Sequence, residues 1–413
     1  MKTIIYIGDF DIRNENVQAH LVMNMGKLLN KLGYKIVYIC NNRKCNNFND
    51  IKKLPSLNTG DGNQCFEIPN SLTFNGVFLY YNIKKAIINI LEDCCSHNDV
   101  YGLITYQSPT FSCFLSSLID FCESRNIPYI VNSADITKFD SQPFFRRVAM
   151  ELNWKYLHYI NYKKASGIIA VSKYISDFYQ KSNRPSVIVP PLFDSRVKLI
   201  KEKRNTEIIE FIYAGTPFGN FGRKVNTNGM KDRLDKIIDL FINLQKIKSN
   251  FHFKIVGMNF NDYIVAVPRH KESLANNKNI IFVGHKAHTE TLNHVYNSDY
   301  MINFRDHNKM TEAGLSTKVV ESVSVGTPVI MSDVGDTFLY LQENCNGYKL
   351  TGDIVQDTKL LLGLMSLDSN QRMLLKQKCA QYNPFKIDNY VDKLQAFLNE
   401  VHVYNQYKNM NKD

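Results

Sequence analysis

The stretch that decides the fold is residues 300–330, which read YMINFRDHNKMTEAGLSTKVVESVSVGTPVI. Its apolar residues predict a strand over 299–304, an amphipathic helix over 318–325 and a second strand over 328–332. A helix between two such strands forms a βαβ unit, in which the two strands are parallel. The stretch therefore predicts an α/β fold with a parallel sheet that helices cover on both faces.

The same alternation extends towards both ends of the chain. Predicted strands open the first half at 3–7 and the second half at 210–214, and the charged residues 194–206 between the halves are typical of a linker. Ligands of such sheets bind at the carboxyl ends of the strands. We therefore expect two doubly wound Rossmann-like domains that face a central cleft, over 1–195 and 206–385, with a last helix within 386–413 that crosses back to the first domain.

The composition limits the classes of partner. A chain of 413 residues suits two domains, and its net charge of +11 favours anionic partners such as phosphate-bearing small molecules, anionic lipids or nucleic acid. Nucleic acid is disfavoured because the basic residues are scattered and form no recognisable binding motif. Nine cysteines at irregular positions predict reduced thiols rather than a secreted disulfide framework.

The sequence also predicts where the protein acts. The opening residues MKTIIYIGDFD are too short and too acidic for a signal peptide, and no run of about 18 apolar residues occurs, so we expect a cytoplasmic protein without a membrane span. Residues 143–164 combine basic and aromatic side chains, a composition compatible with peripheral contact on an anionic membrane. Aromatic residues at helical spacing are more often core, and on that ground a half-buried helix is the stronger expectation.

The residues before and within the helix predicted over 318–325 can bind a phosphorylated ligand. Ser316 and Thr317 stand at the helix start, where free backbone N–H groups and the helix dipole favour an anion such as a diphosphate. Lys318 adds a positive charge in the first turn. Glu321 lies one turn later on the same face, and its carboxylate can accept two hydrogen bonds from the vicinal hydroxyls of a ribose.

This region closely resembles the donor-site signature of glycosyltransferase family 4. The matching residues are Arg305, Ala313-Gly314-Leu315-Ser316-Thr317-Lys318, Glu321-Ser322 and Gly326-Thr327-Pro328. The resemblance implies a GT-B fold and a retaining, hexosyltransferase-like enzyme of bacterial surface-polysaccharide synthesis, which moves a sugar from a nucleotide diphosphate, UDP favoured, to a glycan or lipid-linked acceptor. It implies that Glu321 holds the donor ribose, that the 316–318 backbone holds the diphosphate, and that neither a metal nor a further cofactor is needed.

Three further residues are candidates for catalysis. Arg305 follows a predicted strand and can hold phosphate or sugar. Lys231 resembles the family's phosphate-binding lysine, although an insertion over 218–230 precedes it and brings Arg223 and Lys224 as substitutes. Asp135 follows another predicted strand and can orient or deprotonate the acceptor hydroxyl, or simply cap the next turn.

The remaining donor-side candidates lie in loops after predicted strands. They are Gly8 after the first strand, Thr216 within Tyr213-Ala214-Gly215-Thr216-Pro217, and Gly284 and His285 in the loop that resembles the family's base-binding loop. His285 and His288 lack further ligands at metal spacing, so we expect ordinary loop histidines. Many family members carry a glutamate eight positions before the one at 321, where this chain has Ala313; Glu312 is one place away and is not assigned a catalytic role.

Other functions fit the sequence less well. The first strand leads into GDFDIR rather than the G-x-G-x-x-G turn of nicotinamide-dependent oxidoreductases, and no P-loop sequence occurs. Two alternatives remain open: a GT-B epimerase of nucleotide sugars, and a degenerate sugar-nucleotide-binding subunit of a glycosyltransferase complex. The second is motivated by the missing glutamate.

Overall fold

The computed structural model describes residues 2–13, 17–42, 56–58, 62–69, 76–106, 112–136, 144–180, 183–194, 197–203, 205–218 and 230–410. Contacts divide the chain into two units. The first combines Met1–Leu192 with Ile387–Asp413, and the second is Phe193–Lys386. Arg223 and Lys224, the predicted substitutes for Lys231, lie outside the described residues.

Each unit contains one sheet. The strands of the first unit are β1 (Thr3–Gly8), β2 (Lys35–Asn42), β3 (Ser56–Asn58), β4 (Gln64–Pro69), β5 (Val100–Tyr106), β6 (Tyr129–Ser133), β7 (Gly167–Ala170) and β8 (Ser186–Ile188). Their order is β3-β4-β2-β1-β5-β6-β7-β8, and all pairs are parallel except β3 with β4. The strands of the second unit are β9 (Ile209–Ala214), β10 (Phe251–Val256), β11 (Ile280–Gly284), β12 (Tyr300–Asn303), β13 (Val329–Ser332) and β14 (Gly347–Leu350).

The second sheet has the order β11-β10-β9-β12-β13-β14 with every pair parallel. The chain therefore builds outward from β9 to β11 and then returns to the other side of β9. This is the strand order of a dinucleotide-binding sheet, and it leaves a topological switch point at the carboxyl ends of β9 and β12. The predicted α/β class with two doubly wound units is confirmed.

Helices connect the strands of both units. They are α1 (Val17–Lys31), α2 (Gly76–His97), α3 (Ser112–Ser124), α4 (Phe144–Tyr156), α5 (Lys173–Tyr179), α6 (Leu234–Gln245), α7 (Phe260–Ala266), α8 (Lys271–Leu274), α9 (His288–Asn297), α10 (Lys309–Ala313), α11 (Thr317–Ser324), α12 (Thr337–Tyr340), α13 (Ile354–Met365), α14 (Ser369–Gln381) and α15 (Val391–Met410). A π-helical turn, Leu157–Asn161, and a 3₁₀ turn, Tyr162–Lys164, continue α4. Within the described residues, no helix is long and apolar enough to cross a membrane.

The last helix belongs to the core of the first unit. Leu394, Leu398 and their neighbours on α15 join the apolar cluster formed by β1, β2 and α1. The hydroxyl of Tyr101 donates a hydrogen bond to the carbonyl of Leu398 at 2.8 Å. A Cβ atom at Gly167 would lie 2.4 Å from Cγ2 of Val401, so the glycine in β7 leaves the space that α15 occupies.

Local geometry explains where the structure departs from the predicted boundaries. The helix predicted over 232–248 begins at Leu234, because Asp232 is drawn into side-chain contacts described below and Arg233 has the non-helical angles φ −90° and ψ 62°. Ser172 caps α5 as the sequence suggests, since its hydroxyl accepts a hydrogen bond from the amide of Ile175 at 3.3 Å.

Candidate active site

The switch point of the second sheet brings the end of β9 against Lys318. Gly215 follows β9 with φ +146°, a backbone conformation that residues with a side chain rarely adopt. A Cβ atom built on Gly215 would lie 2.0 Å from Cε of Lys318. The lysine therefore crosses the space that a side chain at 215 would fill, and the glycine is required by this close approach.

Lys318 and Arg305 converge on one buried carboxylate, Asp232. Nζ of Lys318 lies 2.8 Å from Oδ2 of Asp232, and Nε of Arg305 lies 2.7 Å from Oδ1. The amide of Asn303 donates to Oδ1 at 3.2 Å, and the hydroxyl of Tyr213 donates to Oδ2 at 3.0 Å. We call these five residues the Asp232 cluster; its two cations and one anion leave a net charge of +1.

The electrostatics of the cluster favour the charged carboxylate. Burial alone would raise the pKa of Asp232, but the charges and hydrogen bonds of Lys318 and Arg305 outweigh burial and hold that pKa well below its ordinary value. Burial, reinforced by the negative charge of Asp232, raises the pKa of Tyr213 well above its ordinary value. Tyr213 therefore stays protonated as a donor, and Asp232 stays ionised at neutral pH.

The two terminal guanidinium nitrogens of Arg305 remain as hydrogen-bond donors beyond the contact with Asp232. Its side chain is 5% exposed and uses only Nε on Asp232, and no described residue accepts a hydrogen bond from the two terminal guanidinium nitrogens. Its backbone is fixed by Ser332, whose hydroxyl accepts from the amide of Arg305 at 2.8 Å and donates to its carbonyl at 2.9 Å. The guanidinium group of Arg305 is thus held in place and can bind a further anionic group.

The start of α11 stands beside the cluster and offers unused donors. Ser316 is in the N-cap position, but its side chain makes no capping hydrogen bond. The hydroxyl is buried and has no hydrogen-bond partner in the described residues. The backbone N–H groups of Thr317 and Lys318 precede the first intrahelical hydrogen bonds. A buried hydroxyl without a partner at a helix N-terminus is suited to an incoming anion.

Glu321 lies one turn along α11, half-buried and held by a histidine. Nε2 of His288, the first residue of α9, is 3.0 Å from Oε1 of Glu321. The second carboxylate oxygen of Glu321, Oε2, has no hydrogen-bond partner among the described residues. The arrangement fixes the glutamate while leaving acceptor capacity for hydroxyl groups.

The other donor-side candidates surround the same edge of the sheet. Thr216 is exposed after β9, and its hydroxyl donates to the carbonyl of Gly257 at 3.2 Å. Gly284 ends β11 with φ +83°, where a Cβ would lie 2.7 Å from Oδ1 of Asn259. His285 is exposed in the next loop. Lys231 is half-buried and stands next to Asp232, three residues before α6 rather than at its start.

Glu312 is committed to its own loop. Its carboxylate accepts a hydrogen bond from the amide of Gly335 at 3.0 Å through Oε2 and contacts Nδ1 of His307 at 2.6 Å through Oε1. Ala313, at the position of the missing glutamate, is fully buried. The carboxylate at 312 therefore serves to tie the 306–313 segment to the turn at Gly335.

The candidates of the first unit form a separate group. Gly8 ends β1, and a Cβ there would lie 2.7 Å from Cβ of Tyr106. Tyr106 ends the neighbouring strand β5, and its pKa is raised first by burial and then by the negative charges of Asp135 and Asp9. Asp135 accepts a hydrogen bond from the amide of Ile136 at 2.9 Å. Thr137, through which the sequence suggested a cap, lies outside the described residues.

Two residues of the site were missed by sequence reasoning. Asp232 was predicted only as the first residue of a helix over 232–248, and no local pattern links it to Arg305 or Lys318. His288 was taken as an ordinary loop histidine, and no local pattern links it to Glu321. Among the described residues, no group of three or more His, Cys, Asp or Glu side chains is arranged to hold a metal ion.

Solved structures similar to this chain were found, whereas no family model and no curated protein matches its sequence. Sucrose-phosphate synthase from Thermosynechococcus elongatus is 12% identical with a TM-score of 0.65, covering 98% of this chain and 100% of that chain. HepE (Alr3699) of Anabaena, solved with UDP and glucose, is 10% identical with a TM-score of 0.62, covering 97% and 100%. The pneumococcal O-GlcNAc transferase GtfA, solved with UDP and GlcNAc, is 11% identical with a TM-score of 0.61, covering 97% and 99%.

These likenesses concern architecture. At identities of 10–12% the comparisons show the fold alone. Because they cover nearly the whole of each chain, both units and not merely one Rossmann-like sheet are shared. The predicted GT-B fold is therefore confirmed.

Proposed function

We propose that the protein is a retaining glycosyltransferase that takes a sugar from a nucleotide diphosphate donor, with a UDP-sugar favoured. The observation that carries the proposal is the Asp232 cluster at the start of α11: Lys318 and Arg305 are held on one carboxylate, and the buried hydroxyl of the N-cap residue Ser316 has no partner among the described residues. Structures of the same fold support it, since HepE was solved with UDP and glucose and GtfA with UDP and GlcNAc.

The cluster suits a diphosphate by charge and by geometry. Asp232 neutralises one of the two cations, so the lysine and arginine can be buried together before the donor binds. The remaining positive charge, the helix dipole and the free guanidinium donors of Arg305 then attract a dianion. Ser316 and the amides of Thr317 and Lys318 supply hydrogen bonds to the phosphate oxygens.

Glu321 binds the ribose of the donor in this proposal. Its carboxylate can accept hydrogen bonds from two adjacent hydroxyls, and His288 fixes the orientation of the carboxylate through Oε1. Gly284 and His285, in the loop before α9, lie next to the nucleoside end of the donor. Thr216 lies at the end of β9 near the diphosphate.

The chemical step requires stabilisation of a departing diphosphate. In the front-face reaction that we propose, the acceptor hydroxyl attacks from the side on which the diphosphate leaves, and Arg305, Lys318 and Lys231 bind the negative charge that develops. Because Arg305 and Lys318 are held by Asp232, and the backbone of Arg305 by Ser332, before the donor arrives, little reorganisation of these two cations accompanies the reaction.

We assign the acceptor to the first unit, where Gly8 ends β1 and Asp135 follows β6, with β5 between these two strands. Asp135 would orient the acceptor hydroxyl or accept its proton. The acceptor class that we propose is a glycan or a lipid-linked glycan of cell-surface polysaccharide synthesis, with the protein acting at the cytoplasmic face of a membrane.

One observation favours a second candidate function. Glu312 is tied to Gly335 and His307, so the chain lacks a free carboxylate at the place where many similar enzymes have one. A subunit that binds a nucleotide sugar without transferring it would tolerate this loss. A GT-B epimerase would instead convert the donor without any acceptor.

A calorimetric panel tests the proposal. UDP-, GDP-, ADP- and CMP-sugars are titrated into the protein, into Lys318→Ala and into Lys254→Ala. Lys254 is the matched control, because it also pairs with a carboxylate of the second unit, 3.0 Å from Oε2 of Glu210, away from the Asp232 cluster. We expect one nucleotide sugar to bind, Lys318→Ala to weaken it at least about tenfold and Lys254→Ala to leave it unchanged.

The remaining outcomes separate the alternatives. Binding followed by transfer to an added acceptor extract, with the anomeric configuration retained, supports the glycosyltransferase. Binding without turnover identifies the degenerate subunit, and conversion of the donor sugar alone identifies the epimerase. If no nucleotide sugar binds, the proposed function is wrong.

A further inference from the structure

The outer face of α4 and its π-helical continuation exposes an unusual concentration of apolar side chains. Phe145, Val148, Leu152, Tyr156 and Tyr159 follow one another at intervals of three or four residues, with exposed fractions from 38% at Val148 to 87% at Phe145. Phe144 and Ile160 border the same row. Residues 144–160 thus contain seven of the twenty large apolar side chains that the described residues expose. We call this row the α4 stripe.

The stripe is anchored at its C-terminal end: the turns that continue α4 contain buried residues, whereas every residue of α4 whose burial is described is exposed or half-buried. Leu157, His158 and Tyr162 are buried in those turns, which continue α4 at its C-terminal end. Trp154 packs on His158 with 4.1 Å between ring centroids. A half-buried helix is the stronger expectation from the sequence; the structure buries the turns after α4 and leaves Phe144, Phe145, Tyr156 and Tyr159 exposed.

Basic residues accompany the stripe. Residues 144–164 include five Lys and Arg and a single acid, Glu151. Lys155, Lys163 and Lys164 are exposed, while Arg147 lies 3.8 Å from Glu151 and its guanidinium lies 5.8 Å from the ring centre of Phe144. An apolar row bordered by positive charge is complementary to a surface that is apolar inside and anionic outside.

We propose that the α4 stripe binds an anionic lipid bilayer, with its apolar side chains inserted at the headgroup boundary and its lysines on lipid phosphates. A helical segment of 17 residues is about 25 Å long, long enough to lie flat in that boundary. Tyrosine suits this position because its ring is apolar and its hydroxyl is polar. A second copy of the chain is a poorer occupant, because pairing two stripes would bring their basic borders together with only one acid each.

The inference deepens the proposed function, on which it rests for the presence of a membrane-borne acceptor. Its surface shares no residue with the Asp232 cluster, Ser316 or Glu321. Vesicle binding and nucleotide-sugar binding can therefore fail independently, and each result bears on its own proposal.

Sedimentation with vesicles tests the stripe on the full chain. The vesicles contain phosphatidylcholine alone, or phosphatidylcholine with roughly one third phosphatidylglycerol. Three double variants are compared with the unchanged protein: Phe145→Ser/Leu152→Ser in the stripe, Lys155→Glu/Lys163→Glu at its border, and Leu339→Ser/Val355→Ser as a control. Both control residues are 71% exposed on the second unit.

We expect binding to the anionic vesicles, a loss of at least about tenfold in both stripe variants, and no loss in the control. Raising the salt from about 0.1 M to about 0.5 M should weaken the remaining binding, because screening acts on the lysine contacts. Unchanged thermal unfolding of the variants shows that they fold, as expected for exposed positions.

Two results would overturn the proposal. One is vesicle binding that is absent or equal in the stripe and control variants. The other is a dimer, measured by light scattering, that Phe145→Ser/Leu152→Ser converts to a monomer; this would assign the stripe to a second copy of the chain. Calorimetric binding of the nucleotide sugar by the same stripe variants should equal that of the unchanged protein.

Discussion

Asp232→Asn should destabilise the second unit and should increase its affinity for a diphosphate. The substitution keeps the shape of the side chain but removes the only negative charge between Lys318 and Arg305, which lie 2.8 Å and 2.7 Å from it. Removing one partner from a buried ion pair costs about 3–5 kcal/mol. We expect the lower end, about 3 kcal/mol, because an amide oxygen can still accept a neutral hydrogen bond from Tyr213.

Thermal unfolding measures both effects. For a unit of this size, 1 kcal/mol shifts Tm by roughly 2–4 °C, so Tm should fall by about 6–12 °C. Asp235→Asn is the matched control: Asp235 is equally buried and pairs with Arg233 at 2.9 Å and Arg269 at 3.2 Å, outside the cluster. Saturating UDP should then raise Tm more in Asp232→Asn than in Asp235→Asn, because the diphosphate replaces the lost negative charge.

The fall in Tm and the UDP-induced increase in Tm can each refute the reasoning separately. A fall in Tm below about 2 °C for Asp232→Asn would mean that the carboxylate contributes little to the packing of the two cations. A UDP-induced increase that is the same in Asp232→Asn, Asp235→Asn and the unchanged protein would place the diphosphate away from the Asp232 cluster.

Three further predictions follow from individual contacts. Gly215→Ala should displace Lys318 and weaken nucleotide-sugar binding at least about tenfold by calorimetry, whereas Gly33→Ala, at φ +85° with open space around it, should change stability only. His288→Ala should weaken UDP-sugar binding about fivefold by releasing Glu321, and free phosphate or pyrophosphate binding should not change. Burial lowers the pKa of His158 to about 3. The unfolded chain therefore binds a proton below about pH 6.5, whereas the native state does not bind it. The free energy of unfolding in urea should fall by roughly 2 kcal/mol from pH 7 to pH 5, and His158→Gln should remove that fall.

The sequence predicted the architecture because alternating strands and helices are a local signal. β9, β12, β13 and α11 lie within a residue or two of their predicted positions, and the motif at 316–321 forms the start of a helix that carries Lys318. The short α10 and α12 and the strand β14 carry no comparable periodicity, so they were not predicted.

The contacts within the site could not be predicted in the same way. Asp232 meets Arg305 across 73 positions of the chain, and only the parallel pairing of β9 with β12 brings them together. A local pattern before α6 favours a helix cap, and the tertiary contact overrides it. The α4 stripe shows a second limit, since helical spacing tells which side chains share a face and not whether another element covers that face.

The contacts of the Glu312 carboxylate bear on how the donor sugar can react. A carboxylate bound to a backbone amide and to His307 is not available to contact a sugar, and Ala313 offers no polar group in its place. In the proposed reaction, stabilisation therefore acts mainly on the leaving diphosphate rather than on positive charge at the anomeric carbon. In the proposed reaction Arg305 and Lys318 supply that stabilisation, and its strength depends on how much of their charge Asp232 already neutralises. We therefore expect the balance of charge at Asp232, more than the lost glutamate, to determine whether a bound donor transfers its sugar.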